Sequence, residues 1–167
     1  MLSEIADRID MKISGLFILA LGVLAVFSPL AAGISLSLLF GAILFAGSIV
    51  HIAQVLGNGE LKTSIVQLSL GFLYALAGIS FIVNPTFGLT TLTIVLFAQL
   101  ALTGAVQIAW GLRSEEGKTE LILSGFLSLV LASLIYAGWP STATWVLGLF
   151  FGLNLIATGT AMVLKAD

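Results

Sequence analysis

The run Leu92-Thr93-Ile94-Val95-Leu96-Phe97-Ala98 lies inside a stretch from about Phe87 to Leu112 that holds no Asp, Glu, Lys or Arg. Its residues do not alternate between apolar and polar. A transmembrane barrel strand alternates over about ten positions. A helix of about 20 apolar residues crosses a bilayer with every backbone polar group bonded within the segment. The stretch is therefore read as a membrane-spanning helix. Five others read the same way: about Ile13 to Phe27, Leu30 to Leu56, Thr63 to Val83, Leu121 to Gly138 and Ser141 to Leu164.

Composition leads to the same class. Only 8 % of the 167 residues are charged and 59 % are apolar, whereas a soluble domain is about 25 % charged. A water-soluble globule is excluded. Six spans leave no room for a soluble catalytic domain. The absence of cysteine removes disulfides, thiolate metal sites and Cys nucleophiles. A net charge of −2 gives no reason to expect nucleic acid as a partner. The expected fold is all-α and polytopic. A cytoplasmic amphipathic segment over residues 1–12 precedes a six-helix domain over 13–167. Leu2, Ile5, Ile9 and Ile13, three or four residues apart, suggest a short helix lying on the membrane surface. Met1 to Lys12 is acidic and no Ala-x-Ala site follows Phe27, so the first span is expected to be retained rather than cleaved as a signal peptide.

Working outward, the span at Phe87 belongs to a repeat. Ser14-Gly15-Leu16-Phe17, Leu70-Gly71-Phe72-Leu73 and Ser124-Gly125-Phe126-Leu127 align, and seven residues beyond each glycine stand Gly22, Gly78 and Ala132. Pro29, Pro85 and Pro140 follow, 56 and 55 residues apart, and then Ala46-Gly47, Thr103-Gly104 and Thr158-Gly159. Each unit (about 13–56, 63–112 and 121–164) reads as two helices joined by a tight proline turn. Ser28 and Asn84 are good N-cap types, and proline suits the first helical position. A unit with an even number of spans re-enters from the side it left. The three hairpins are therefore expected to be parallel and to form a pseudo-threefold bundle, unlike the inverted repeats of many transporters. Small residues at Gly15, Gly22, Gly71, Gly78 and Gly125, with Gly148 and Gly152 in the last span, are expected to let helices approach closely, within the chain or in a homo-oligomer.

All 14 charges fall on one side of this topology: the N-terminal segment, Glu60 and Lys62, Arg113 to Glu120, and Lys165 with Asp167. The positive-inside rule then places both termini in the cytoplasm. Tyr136 and Trp139 would lie at the outer interface and Trp110 at the inner one.

Few residues carry chemistry. His51, the only histidine, shares a face with Gln54 and is a candidate pH-sensing group; the competing reading is an ordinary interfacial imidazole. Gln99, Thr103 and Gln107 form a polar stripe at i, i+4 and i+8, with Asn154 and Thr158 aligned to Gln99 and Thr103 and with Ala42 and Ala46 in the first repeat. That stripe is either a path for a small solute or a set of interhelical hydrogen bonds. Ser64, Gln67, Gly71, Tyr74 and Gly78 share another face, where the tyrosine is expected to be buried and bonded to a neighbouring helix. No Ser–His–Asp set, Walker loop or HExxH occurs, and one imidazole does not fill a metal ion's coordination sphere. No catalytic residue, metal or cofactor is expected.

Six short spans, paired hairpins, a glycine early in each odd helix and a proline at each outer turn resemble the HdeD acid-resistance membrane protein family, over about Ser14 to Leu164. The resemblance implies a bacterial inner-membrane protein linked to acid-stress survival, with no catalytic residues to carry over. Three roles stay open: a non-enzymatic stress-protective membrane protein in contact with lipid, an accessory subunit of a larger membrane complex, and a channel or carrier for a small neutral solute.

Overall fold

The computed structural model describes residues 2–57 and 61–166. They form six α-helices: α1 (Leu2–Phe27), α2 (Pro29–Gly57), α3 (Leu61–Val83), α4 (Pro85–Gly111), α5 (Lys118–Ala137) and α6 (Val146–Lys165), with a short 3-10 helix at Ser141–Thr144. All six are long and apolar enough to cross a membrane, and the chain is a multi-pass membrane protein. Phe17, Leu24, Phe72 and Leu102 are each more than 60 % exposed. Apolar surface on this scale would drive association in water and suits contact with lipid tails.

Residues 2–12 are helical, but as an unbroken extension of the first span. No glycine, proline or turn residue separates Ile9 from Ser14, so the hydrogen-bond ladder continues. The side chains of residues 2–8, which include Leu2 and Ile5, lie outside the described ones.

Two of the proline turns are as tight as the sequence suggests. Ser28 alone separates α1 from α2, and Asn84 alone separates α3 from α4. The Asn84 side-chain oxygen accepts the Phe87 N–H at 3.2 Å and the Thr86 hydroxyl at 2.7 Å. Pro85 fills the first helical position, where no N–H is required. The third turn differs. Pro140 does not start α6; eight residues, 138–145, intervene, and the Trp139–Pro140 peptide bond is cis. Here threonine hydroxyls bond nearby carbonyls, Thr142 to Ile135 at 2.8 Å and Thr144 to Ser141 at 2.7 Å. Such local bonds offer the backbone an alternative to the helical ladder, and α6 begins only at Val146.

The packing of the units is not that of three closed hairpins. The close partners are α1 with α6, α3 with α2, and α5 with α4. Each odd helix lies against the even helix of a neighbouring unit, and α1 and α2 barely touch. The even helices meet in the middle, α2 contacting both α4 and α6. This cyclic exchange is the pseudo-threefold arrangement expected of three parallel repeats.

Glycine sets the seams. A Cβ on Gly15 would lie 3.1 Å from the Gly159 carbonyl oxygen, and one on Gly71 3.3 Å from that of Ser48. On Gly125 it would lie 2.8 Å from the carbonyl oxygen of Gly104. Gly159, Ser48 and Gly104 each stand 19 residues beyond their unit's proline. The register of the first repeat is thus one residue from the sequence alignment. Ser48, not Gly47, matches Gly104 and Gly159, and the counterparts of Gln99 and Thr103 are Ile43 and Gly47, not Ala42 and Ala46. Gly47 instead faces the Tyr74 ring, 3.1 Å from its would-be Cβ.

Because paired helices are antiparallel, their ends align. Gly15 lies beside Met162, Gly71 beside His51 and Gly111 beside Ile122. The described charged residues, from Asp10 and Lys12 to Lys165, therefore gather at one end of the bundle, and the proline turns lie at the other. Glu60 and Asp167, and the side chains of Glu4, Asp7 and Arg8, are outside the described residues.

Candidate functional site: the polar groups within the bundle

Near the proline turns the three even helices converge. Ser37 and Thr93, eight residues past Pro29 and Pro85, are fully buried, and Leu89 is 2 % exposed. The residue eight past Pro140 is Gly148, where a Cβ would collide with the Pro29 carbonyl. Thr93 donates to the Leu89 carbonyl at 2.9 Å and lies 3.5 Å from the Ala143 carbonyl of the 3-10 turn. The Ser37 hydroxyl has no hydrogen-bond partner among the described residues and sits against Gly88. A buried hydroxyl left unbonded costs about 1–3 kcal/mol. The close approach of α4 at Gly88 is thus reached despite an unsatisfied group. The centre of the bundle is filled here by side chains.

The polar stripe does not assemble into one surface. Gln99, Thr103, Asn154 and Thr158 are exposed on the bundle surface. Asn154 donates to the Phe150 carbonyl of its own helix at 3.0 Å. The Gln107 carboxamide oxygen accepts the Ser124 hydroxyl of α5 at 3.3 Å. Gln99 and Asn154 stand on helices that touch only lightly. Asn154 lines a cleft between α4, α5 and α6.

His51 finds its partners on α3 rather than in Gln54. Its Nδ1 lies 2.6 Å from the Gln67 carboxamide oxygen, so this nitrogen carries the proton and donates. The imidazole also meets the Tyr74 ring edge-on, at a centroid distance of 5.1 Å. Tyr74 is 37 % exposed rather than buried. His51 and Gln107 occupy the same place in their units, 22 residues beyond the proline, and each bonds the odd helix beside it. In the third seam that place belongs to Met162, and the contact with Gly15 is apolar. His51 and Gln67 belong to different units, so their pairing follows only from the packing of α2 against α3. Among the described residues no group of three or more His, Cys, Asp or Glu is placed to hold a metal ion.

Two overlapping stretches of the chain, residues 13–83 and 69–137, match the family described as a short repeat of unknown function (DUF308). No curated protein and no solved structure matches the chain. The two matched stretches start 56 residues apart, the spacing of Pro29 and Pro85. Each begins near an odd helix's first glycine.

Proposed function

The chain belongs to the DUF308 short-repeat family, and on that premise we propose that it is a non-enzymatic protein of the bacterial inner membrane with a stress-protective, acid-resistance-like structural role. Both termini lie in the cytoplasm on this reading, since the basic residues gather at the end that holds them. The resemblance of its hairpins, glycines and prolines to the HdeD family supports the stress role.

The observation that carries the structural reading is the filled centre. Ser37, Leu89 and Thr93 close the convergence of α2, α4 and α6, and the amides of Gln107 and Asn154 bond a neighbouring helix or their own backbone. This favours a rigid membrane body over a conduit for solute.

The test is acid survival of a bacterial host that lacks its own members of the family, carrying this chain or its Gly152→Leu variant at matched membrane levels. The reading expects improved survival with the chain and loss of that gain with the variant, whose added side chain would strike Val26 and the Gly22 carbonyl. No gain from a well-inserted wild-type protein would refute the stress role.

A further inference from the structure

One carboxamide deep in the spans stands apart. Gln67 pairs with His51, Gln107 with Ser124, and Asn154 with the Phe150 carbonyl. Gln54 lies within one turn of the end of α2. Gln99 makes no hydrogen bond among the described residues, and its side chain is exposed. It lies 14 residues past Pro85 and 12 before Gly111, roughly 18–21 Å along the helix from either end. That is mid-depth in a hydrocarbon layer about 30 Å thick, where neither water nor a lipid headgroup is at hand. An amide left unbonded there is costly, so its partner comes from outside the chain.

The residues around Gln99 say what brings that partner. Val95, Gln99, Leu102, Val106 and Ala109 follow one another at alternating steps of four and three, the heptad spacing of a seam between helices. All five are exposed. The packed face of α4, with Thr93, Leu96, Gly104 and Gly111, is on the other side of the helix. In heptad terms Gln99 and Val106 take the a positions, and Val95, Leu102 and Ala109 the d positions. A β-branched residue at a with leucine at d favours two parallel strands, and a single polar residue at a sets their register.

Copies of one chain insert in the same orientation, so their α4 helices meet in parallel about a two-fold axis along the membrane normal. A residue beside such an axis meets its own copy. A carboxamide has both a donor and an acceptor, so Gln99 can bond Gln99 of a second copy reciprocally. The equivalent positions in the other units offer no such seam: Ile43 has no polar group, and Asn154 bonds its own helix. We propose that the protein pairs with a second copy of itself through the Val95–Ala109 face of α4, with the two Gln99 amides bonded at the centre. The inference does not depend on the stress role.

The test reconstitutes the full chain in phosphatidylethanolamine–phosphatidylglycerol vesicles. Association is read by energy transfer between copies labelled at a cysteine added after Asp167. Dilution with lipid should resolve a monomer–dimer equilibrium. Gln99→Leu should weaken it about tenfold, the loss of two interhelical hydrogen bonds. Gln99→Asn, which keeps a self-complementary amide, should retain most of the association. Both variants should keep wild-type thermal stability in the monomer, since Gln99 bonds nothing within the chain. Leu102→Cys should oxidise to a linked dimer, and Ile94→Cys, exposed on another face of α4, should not. A wild-type chain that stays monomeric at every lipid ratio would overturn the proposal. So would a dimer indifferent to Gln99→Leu, or one that Ile94→Cys links as readily as Leu102→Cys. A purified chain that is monomeric but retains a different protein from native membranes only when Gln99 is present would overturn it in favour of a foreign helix.

Discussion

Gly22 and Gly152 face each other across the α1/α6 seam so closely that neither has room for a methyl group. A Cβ on Gly22 would lie 2.9 Å from the Gly152 carbonyl oxygen, and one on Gly152 3.0 Å from that of Gly22. Without a hydrophobic drive between helices in lipid, such backbone approach and the packing it permits hold membrane helices together. The relation joins the first helix to the last, so the seam also closes the ring of repeats.

Glycines in the seams should therefore respond differently from a glycine beside a movable side chain. Gly104→Ala and Gly159→Ala, whose methyls would meet backbone atoms at 2.7 and 2.6 Å, should each destabilise by about 1–3 kcal/mol through overpacking. Gly47→Ala meets only the half-exposed Tyr74 ring. It should be neutral, or stabilising by up to about 1 kcal/mol, because alanine favours the helix. Unfolding in mixed micelles measures all three; equal losses at the three sites would contradict the seam register.

Much of the fold is legible in the sequence, because charge-free apolar runs, glycines spaced by seven and recurring prolines are local signals. Which helix packs on which is not. Gly15 and Gly22 announce a close-packing face, but nothing near them names α6 as its partner, and consecutive helices are the simplest guess. The one-residue slip that put Gly47 in the place of Ser48 has a physical source: serine is small enough to serve in a glycine's place. The departure of the third turn has a related cause. Pro140 carries the same signal as Pro29 and Pro85, while the hydroxyl bonds of Thr142 and Thr144 that delay α6 depend on where α5 ends. Of the polar residues, the candidates were visible and their partners were not, as His51 with Gln67 shows.

The His51–Gln67 bond should contribute a measurable but modest coupling. Interhelical hydrogen bonds in membranes average about 0.6 kcal/mol and reach about 1.7. A double-mutant cycle with His51→Ala and Gln67→Ala should give a value in that range, read by unfolding at a single pH. A coupling of zero would mean that the pair does not form.

Asn84 is a separate test of the tight turn. Asn84→Ala removes the acceptor for the Phe87 N–H and should cost about 1 kcal/mol, the usual effect of losing an N-cap. Asn84→Asp, which keeps an acceptor oxygen, should recover most of the loss. If both variants lose the same amount, the side chain does not cap α4.

The filled centre predicts that the protein alone does not dissipate a proton gradient. None of the predicted spans holds Asp, Glu, Lys or Arg, and intramembrane proton paths are built from ionisable groups. Liposomes with an entrapped pH dye and a potassium–valinomycin clamp should hold an imposed gradient equally well with and without the protein. Decay that requires the protein and is abolished by Gln99→Leu or Asn154→Leu would mean that the amides conduct.

The central claim is that each odd helix is sealed against the even helix of a neighbouring unit, and that α1 and α6 close the ring. The chain has no cysteine, so introduced pairs report without background. A Cβ on Gly15 would lie 3.0 Å from that of Met162, and one on Gly71 3.4 Å from that of His51, near the roughly 3.5–4.5 Å that a disulfide spans. Oxidation in membranes should link Gly15→Cys to Met162→Cys, and Gly71→Cys to His51→Cys, within one chain, giving a faster-migrating monomer on a non-reducing gel. Failure of the Gly15/Met162 pair to form, or its appearance only as a dimer, would contradict the closed ring.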